Sequence, residues 1–207
     1  MFRLLKREKI ITSKSIFFVK GIALLFSSSI LHAEDLRRPN IIWIIAEDMS
    51  PDIGCYGNQV VTTPNIDVLA EKGMQFTNVF TTSPACSPSR TALATGVFQA
   101  TLGAHHMRYS KELMPTLPPV VKTLPQLMSE RGYYTGNIKG LGGTGKDDWQ
   151  FKTSKKSWDT HAWQKLVKNQ PFFAQINSRE SHRGFYPSKN IPKEKIVIPP
   201  YYPDHQV

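Results

Sequence analysis

The hydrophobic pattern of the chain is a series of short apolar runs separated by helix-like stretches. Residues 40–46, NIIWIIA, form a continuous apolar, β-branched run behind Pro39. A run without polar alternation predicts a strand buried on both faces of a parallel sheet. It stops at two acids, Glu47 and Asp48. A helix is expected next, with Thr63 as its cap, Pro64 in its first position, Ile66, Leu69 and Ala70 on one side and Gly73 as its stop. A second strand is predicted over residues 74–80. After the turn at Ser83-Pro84, residues 88–94 predict a helix that opens directly behind Cys86 and ends at Gly96. Thr123 and Gly132 bracket another helix over residues 124–131, followed by a short strand over 133–138. Residues 140–146, GLGGTGK, predict a flexible loop. A helix over 158–168 and a strand over 172–177 complete a β/α alternation. The fold class expected is α/β, a mostly parallel sheet sandwiched by helices. The five prolines of residues 187–203 exclude regular helix or central strand there, and the sequence contains no internal repeat.

Composition narrows the function classes. With 207 residues, 40% hydrophobic and 20% charged, the chain reads as one globular domain, which excludes disorder, collagen and coiled coil. The net charge of +10 suggests nucleic acid, but Arg3, Lys6, Arg7, Lys9, Lys14 and Lys20, set against the single acid Glu8, all lie ahead of Glu34. Residues 1–33 have a basic start, an apolar stretch over 21–30 and a small residue at Ala33, the order of a secretory signal peptide. The apolar segment after Lys20 ends at Leu31, too short to span the roughly 30 Å of bilayer hydrocarbon. We therefore expect export to the periplasm or medium, with no stable membrane span after cleavage. The remaining 20 basic and 15 acidic residues balance at +5, and no basic stripe with interleaved aromatics is left for nucleic acid. In an oxidising compartment Cys55 and Cys86 would by default form one disulfide.

The polar groups that follow the strands carry the candidate chemistry, because open α/β sheets collect ligands at the carboxyl ends of their strands. Glu47 and Asp48 follow the first strand, Cys86 lies beyond the second, Lys139 and Lys146 beyond the third, and His182 beyond the last. Two adjacent carboxylates suit a hard cation, calcium or magnesium. Arg90 stands four residues after Cys86, one helical turn along, so it returns to the face of the helix N-terminus. A helix N-terminus, an arginine fork, a lysine and a histidine together suit an oxyanion, sulfate or phosphate.

Residues 62–96, TTPNIDVLAEKGMQFTNVFTTSPACSPSRTALATG, resemble the sulfatase family, and Cys86-Ser87-Pro88-Ser89-Arg90 matches its C-x-P-x-R signature. The resemblance runs from Asn40 to about His182 and includes AEDMSPDIGCYG, LGAHHMR, GYYTGN and PFFAQINSRESHRGF. It implies an alkaline-phosphatase-like fold, with residues 34–207 as the N-terminal portion of a catalytic domain incomplete at its C-terminus. The implied activity is hydrolysis of sulfate esters or sulfamates of a sulfated glycan or other small molecule. In this family the cysteine is oxidised to formylglycine, so the implied partner is a formylglycine-generating or anaerobic sulfatase-maturating enzyme. One hydroxyl of the hydrated aldehyde attacks sulfur and the other collapses to expel sulfate. This context displaces the default disulfide at Cys86; Cys55, in Gly54-Cys55-Tyr56-Gly57, is expected to pack.

Carried onto this chain, the resemblance makes Glu47, Asp48 and the modified Cys86 the metal ligands, with Ca2+ or Mg2+ as the ion. Glu47 stands where the family more often has aspartate. Arg90 would stabilise the hydrate, and His182 would bind sulfate or assist the leaving group. Lys146 aligns with the family's substrate lysine, with Lys139 as the competing choice. His105 and His106 are candidate substrate contacts. The family's second metal pair and a further lysine lie beyond this stretch; Asp204-His205 only superficially resembles that pair. A phosphonate or phosphodiester hydrolase on the same scaffold and a non-catalytic fragment are the alternative readings.

Overall fold

A computed structural model describes residues 38–153, 155–182, 191–198, 200 and 202–203. The expected signal peptide and Asp204-His205 lie outside the described residues. Strand β1 spans Ile41–Ala46, helix α1 Pro64–Lys72, α2 Cys86–Thr95 and α3 Leu124–Glu130. They are followed by β2 Tyr134–Asn137, β3 Lys139–Gly140, β4 Gly143–Thr144, α4 Trp163–Val167 and β5 Phe172–Ser178. Short 3-10 turns lie at Gly54–Tyr56 and Lys193–Lys195.

The last strand, β5, organises the sheet. Parallel β1 lies along one edge, Ile41 opposite Phe173 through Ala46 opposite Ser178. Along the other edge β2 runs parallel, Tyr134 opposite Phe172 through Asn137 opposite Gln175. The β3–β4 hairpin extends that edge, with Gly143 antiparallel to Ser178. Alternation along β5 sends Phe172, Ala174 and Ile176 to one face, where they join Ile138, Leu166, Tyr134, Trp163 and Val167 in the core. Full burial of each large side chain there contributes about 1.5–3 kcal/mol. Phe173, Gln175 and Asn177 face the other way. Phe173 stacks on Trp158 with ring centres 6.1 Å apart, and Trp149 continues that stack to Phe151.

Four local expectations are corrected. Residues 74–80 form no strand; they are exposed and tied to the Gly54–Tyr56 turn, where Gln75 Nε2 donates to the Cys55 carbonyl at 2.7 Å and the Tyr56 hydroxyl donates to the Phe76 carbonyl at 2.8 Å. A β-pattern without a partner strand gains no ladder hydrogen bonds. The predicted 158–168 helix shrinks to α4 because Asp159 and Thr160 pair with β2 instead: the Thr135 amide donates to Asp159 Oδ2 at 2.8 Å and the Asn137 amide to the Thr160 carbonyl at 3.1 Å. The glycine-rich loop is a hairpin whose turn has Leu141 at φ 53° and Gly142 at φ 79°, the two left-handed residues that suit the strand twist. Burial of β1 on both faces also fails among the described residues, since Ile42 and Ile44 are 49% and 63% exposed. The helices α1, α2 and α3 fall where predicted, α2 starting two residues early. No helix among the described residues is long and apolar enough to cross a membrane.

Candidate functional site

Glu47 is placed by the sheet itself. Its amide donates to the Ser178 carbonyl at 3.1 Å, one step beyond the β1–β5 register, and its side chain is buried. The chain then turns at Asp48, whose φ of 52° leaves its carboxylate partly in solvent. Across from them α2 begins at Cys86, and its cap residue Ala85 offers no side-chain acceptor, so no side chain caps the first-turn amides on this side. Pro88 fits the first turn because an amide there has no helical partner to lose.

One turn along, Arg90 reaches back beneath Cys86. Its Nη2 lies 3.1 Å from Glu47 Oε1, and its Nη1 donates to Asn177 Oδ1 at 2.7 Å. Lys146, just past the hairpin, brings its Nζ to the same Glu47 oxygen at 2.5 Å and to Asp148 Oδ2 at 3.4 Å. Asp148 also meets Arg108 Nε at 3.6 Å. Burial alone would raise the Glu47 pKa. The hydrogen bond from Lys146 and the charges of Arg90 and Lys146 outweigh it, holding Glu47 ionised below the ordinary carboxylate range. Arg90 and Lys146 thus bring two cations to the floor of the site, the kind of group an oxyanion requires.

His182 closes the site after β5. Its Nε2 lies 3.8 Å from Asp48 Oδ2, and the neighbouring Ser181 hydroxyl donates to the Glu47 carbonyl. A carboxylate oxygen of Glu47, Cys86 Sγ and a ring nitrogen of His182 all lie within 4.8 Å of one another. The donor set fits a divalent cation: Glu47 is held as an anion, Asp48 follows it directly, and Cys86 faces it. These groups open onto a cleft of about 430 Å3 lined by Glu47, Asp48, Thr81, Cys86, Ser89 and Arg90.

The structure therefore gathers Glu47, Asp48, Cys86, Arg90, Lys146 and His182. Lys139 is exposed on β3, its stem against Gly145. His105 and His106 are exposed, their ring centres 4.3 Å apart with His106 edge-on to Tyr109, and they do not line the cleft. Cys55 and Cys86 are both free thiols. Sequence reasoning missed Asn137, Asp147 and Asn177, which brace the site from beneath. For Asn177 a signal was present: polar Gln175 and Asn177 alternate with apolar residues along a strand of the sheet, and a buried polar residue needs a partner.

The sulfatase family model matches residues 39–204. An ulvan-active sulfatase of Formosa agariphila is 36% identical over 160 residues, 72% of this chain and 26% of that protein. Human arylsulfatase A is 40% identical over 105 residues, 48% of this chain and 20% of that protein. An N-acetylgalactosamine-6-O-sulfatase of Bacteroides thetaiotaomicron is 37% identical over 125 residues, 56% of this chain and 24% of that protein. This chain thus spans about a quarter of the length of these relatives. Among solved structures, a 2-O GAG sulfatase superposes with TM-score 0.57 at 23% identity, covering 81% of this chain and 41% of that one. A protein solved in complex with its substrate D-glucosamine-2-N,6-O-disulfate gives TM-score 0.54 at 22% identity, covering 73% and 36%. These structures share the α/β fold and extend beyond the part present here. With the family match covering most of the chain and the C-x-P-x-R cysteine seated at the head of α2, the chain belongs to the sulfatase family.

Proposed function

We propose that this chain is the first part of a catalytic domain that hydrolyses sulfate esters or sulfamates of a sulfated saccharide. The observation that carries the reading is the meeting of Glu47, Cys86 and His182 within 4.8 Å above the Arg90–Lys146 floor. The saccharide class rests on the names of the relatives, which include an ulvan-active and an N-acetylgalactosamine-6-O-sulfatase, and on a cleft open enough for a sugar. The basic, then apolar, residues 1–33 support export to the periplasm or medium.

In this reading Cys86, once converted by a maturation enzyme, supplies a hydrated aldehyde as nucleophile, chemistry that a thiol lacks. Glu47 and Asp48, with the Cys86 side chain, would hold Ca2+ or Mg2+, which supplies positive charge against the sulfuryl oxygens. The chain's own groups do the remainder. Arg90 and Lys146 fix Glu47 and present positive charge to the bound oxyanion, the kind of preorganised electrostatics that dominates such sites. His182, whose Nε2 lies 3.8 Å from Asp48 Oδ2, would assist the leaving oxygen or nitrogen.

The test is the mass of the Cys86 peptide after coexpression with a formylglycine-generating or anaerobic sulfatase-maturating enzyme, paired with turnover of an aryl sulfate. Conversion with turnover supports the reading. An unconverted cysteine in a chain without turnover overturns it, and Cys86→Ala should abolish turnover while the fold remains.

A further inference from the structure

We infer that Asn177 is a positioning residue that sets Arg90 and the Lys146 loop against each other through one buried amide. The inference rests on the reading above only in taking Arg90 and Lys146 as the floor of the anion site; the contacts themselves are independent of it. Asn177 is fully buried on the face of β5 opposite the core. Its Oδ1 accepts from Arg90 Nη1 at 2.7 Å. Its Nδ2 donates to the Lys146 carbonyl at 2.9 Å and lies 3.3 Å from Asn137 Oδ1. A guanidinium only donates and a backbone carbonyl only accepts, so these partners fix which end of the amide is oxygen.

The relay continues below. Asn137, fully buried on β2, donates through Nδ2 to the Gly145 carbonyl at 3.0 Å and to Asp147 Oδ1 at 2.8 Å. Trp158 Nε1 donates to the same Asp147 oxygen at 2.8 Å. Residues 145–147 are thus held at three successive points, and Asn177 joins that stretch to Arg90.

The amide has two functions that substitution separates. Asn177→Leu keeps the branched shape, with two bulkier methyl groups in place of the amide oxygen and nitrogen, but removes both contacts. Asn177→Asp keeps an acceptor for Arg90 and turns the donor into a second acceptor facing the Lys146 and Asn137 oxygens. The experiment is NMR of the 207-residue chain with 15N-labelled arginine side chains and backbone amides. Resolved Arg90 Nη signals are expected in the native chain, because a guanidinium gripped at both nitrogens rotates slowly. In Asn177→Leu they should collapse to one averaged signal. In Asn177→Asp they should stay resolved while the amides of residues 145–147 shift or broaden. Retention of the native pattern in Asn177→Leu, or its loss in Asn177→Asp, overturns the inference. If Asn177→Leu does not fold, the Asn177→Asp spectrum still decides it. On a matured enzyme that turns over aryl sulfate, Asn177→Leu should lower kcat by about tenfold or more with a smaller change in KM, as misplacement of catalytic groups does. An unchanged kcat would overturn the role. A native chain without sulfatase turnover would instead sink the functional reading and leave the NMR result standing.

Discussion

Arg90 and Lys146 converge on a single oxygen of Glu47, at 3.1 and 2.5 Å, in a site where the Arg90 and Glu47 side chains are 6% and 5% exposed. A buried ion pair adds little net stability when whole, but removal of one partner strands the other in a low dielectric. Arg90→Ala leaves Asn177 Oδ1 without its donor and Glu47 with Lys146 alone, so a loss of about 3 kcal/mol in urea unfolding is expected. Arg90→Lys should recover only part, because an ammonium cannot fork between Glu47 and Asn177. An unfolding midpoint unmoved by Arg90→Ala would contradict the ion-pair account.

The same carboxylate predicts an acid-sensitive fold. The pKa of Glu47 is lowered in the folded state, because the pairing with Lys146 and Arg90 outweighs the burial that opposes it. A lowered carboxylate pKa contributes stability that is present above its unfolded value and lost as pH falls through its folded one. Glu47→Gln removes that contribution at every pH. The native chain should exceed Glu47→Gln in stability at neutral pH, and the gap should close on acidification below the ordinary carboxylate range. Parallel stability curves from pH 7 to pH 3, taken from urea midpoints, would exclude Glu47 as the source.

Much of this architecture is legible in the sequence where local and tertiary preferences agree. Thr123 and Gly132 bracket α3 as expected, and the Thr123 amide donates to Gln126 Oε1 at 3.0 Å in a capping box. The apolar runs at β1 and β5 reveal strands because both lie in the sheet. Residues 74–80, with apolar Met74, Phe76, Val79 and Phe80, also suggest a strand and form none, since pairing depends on a neighbour that no local pattern encodes. The chemistry followed the same division. The end of β1 and the C-x-P-x-R spacing point to Glu47, Cys86 and Arg90, although the strand expected ahead of Cys86 does not form, whereas the choice of Lys146 over Lys139 at Glu47 depends on a hairpin turn hidden in a glycine-rich stretch. Asn137, Asp147 and Asn177 act through one another, across three separate segments, and pairwise polar contacts of that range have no sequence period.

Asp147 should show the opposite pH dependence to Glu47. Its pKa is raised, chiefly by burial, despite hydrogen bonds from Trp158 and Asn137 that pull it down. An acid with a raised folded pKa loses stability as pH rises from its unfolded value through its folded one. Asp147→Asn retains an oxygen for Trp158 and Asn137 without a charge to bury. Relative to the native chain, it should gain stability as pH rises across that window. A gap that is constant with pH would mean that ionisation of Asp147 carries no cost.

The hairpin that delivers Lys146 has its own point of failure. A Cβ added at Gly143 would sit 2.5 Å from the Ile138 carbonyl and 3.2 Å from Ile176 Cγ2, and a backbone oxygen yields less readily than a side-chain tip. Gly143→Ala must therefore push the hairpin off the edge of β5, where Gly143 pairs with Ser178. The expected cost is about 1–3 kcal/mol, as for overpacking elsewhere. Gly57→Ala is the control, since a Cβ there meets nothing within 4 Å and only its φ of 94° is strained. Both should lower the unfolding midpoint, but Gly143→Ala alone should also loosen residues 144–146 and weaken the Lys146–Glu47 pair. Amide hydrogen exchange separates the two: faster exchange at 144–146 in Gly143→Ala and native rates there in Gly57→Ala. Equal protection of that stretch in both variants would show that the hairpin does not govern where Lys146 sits.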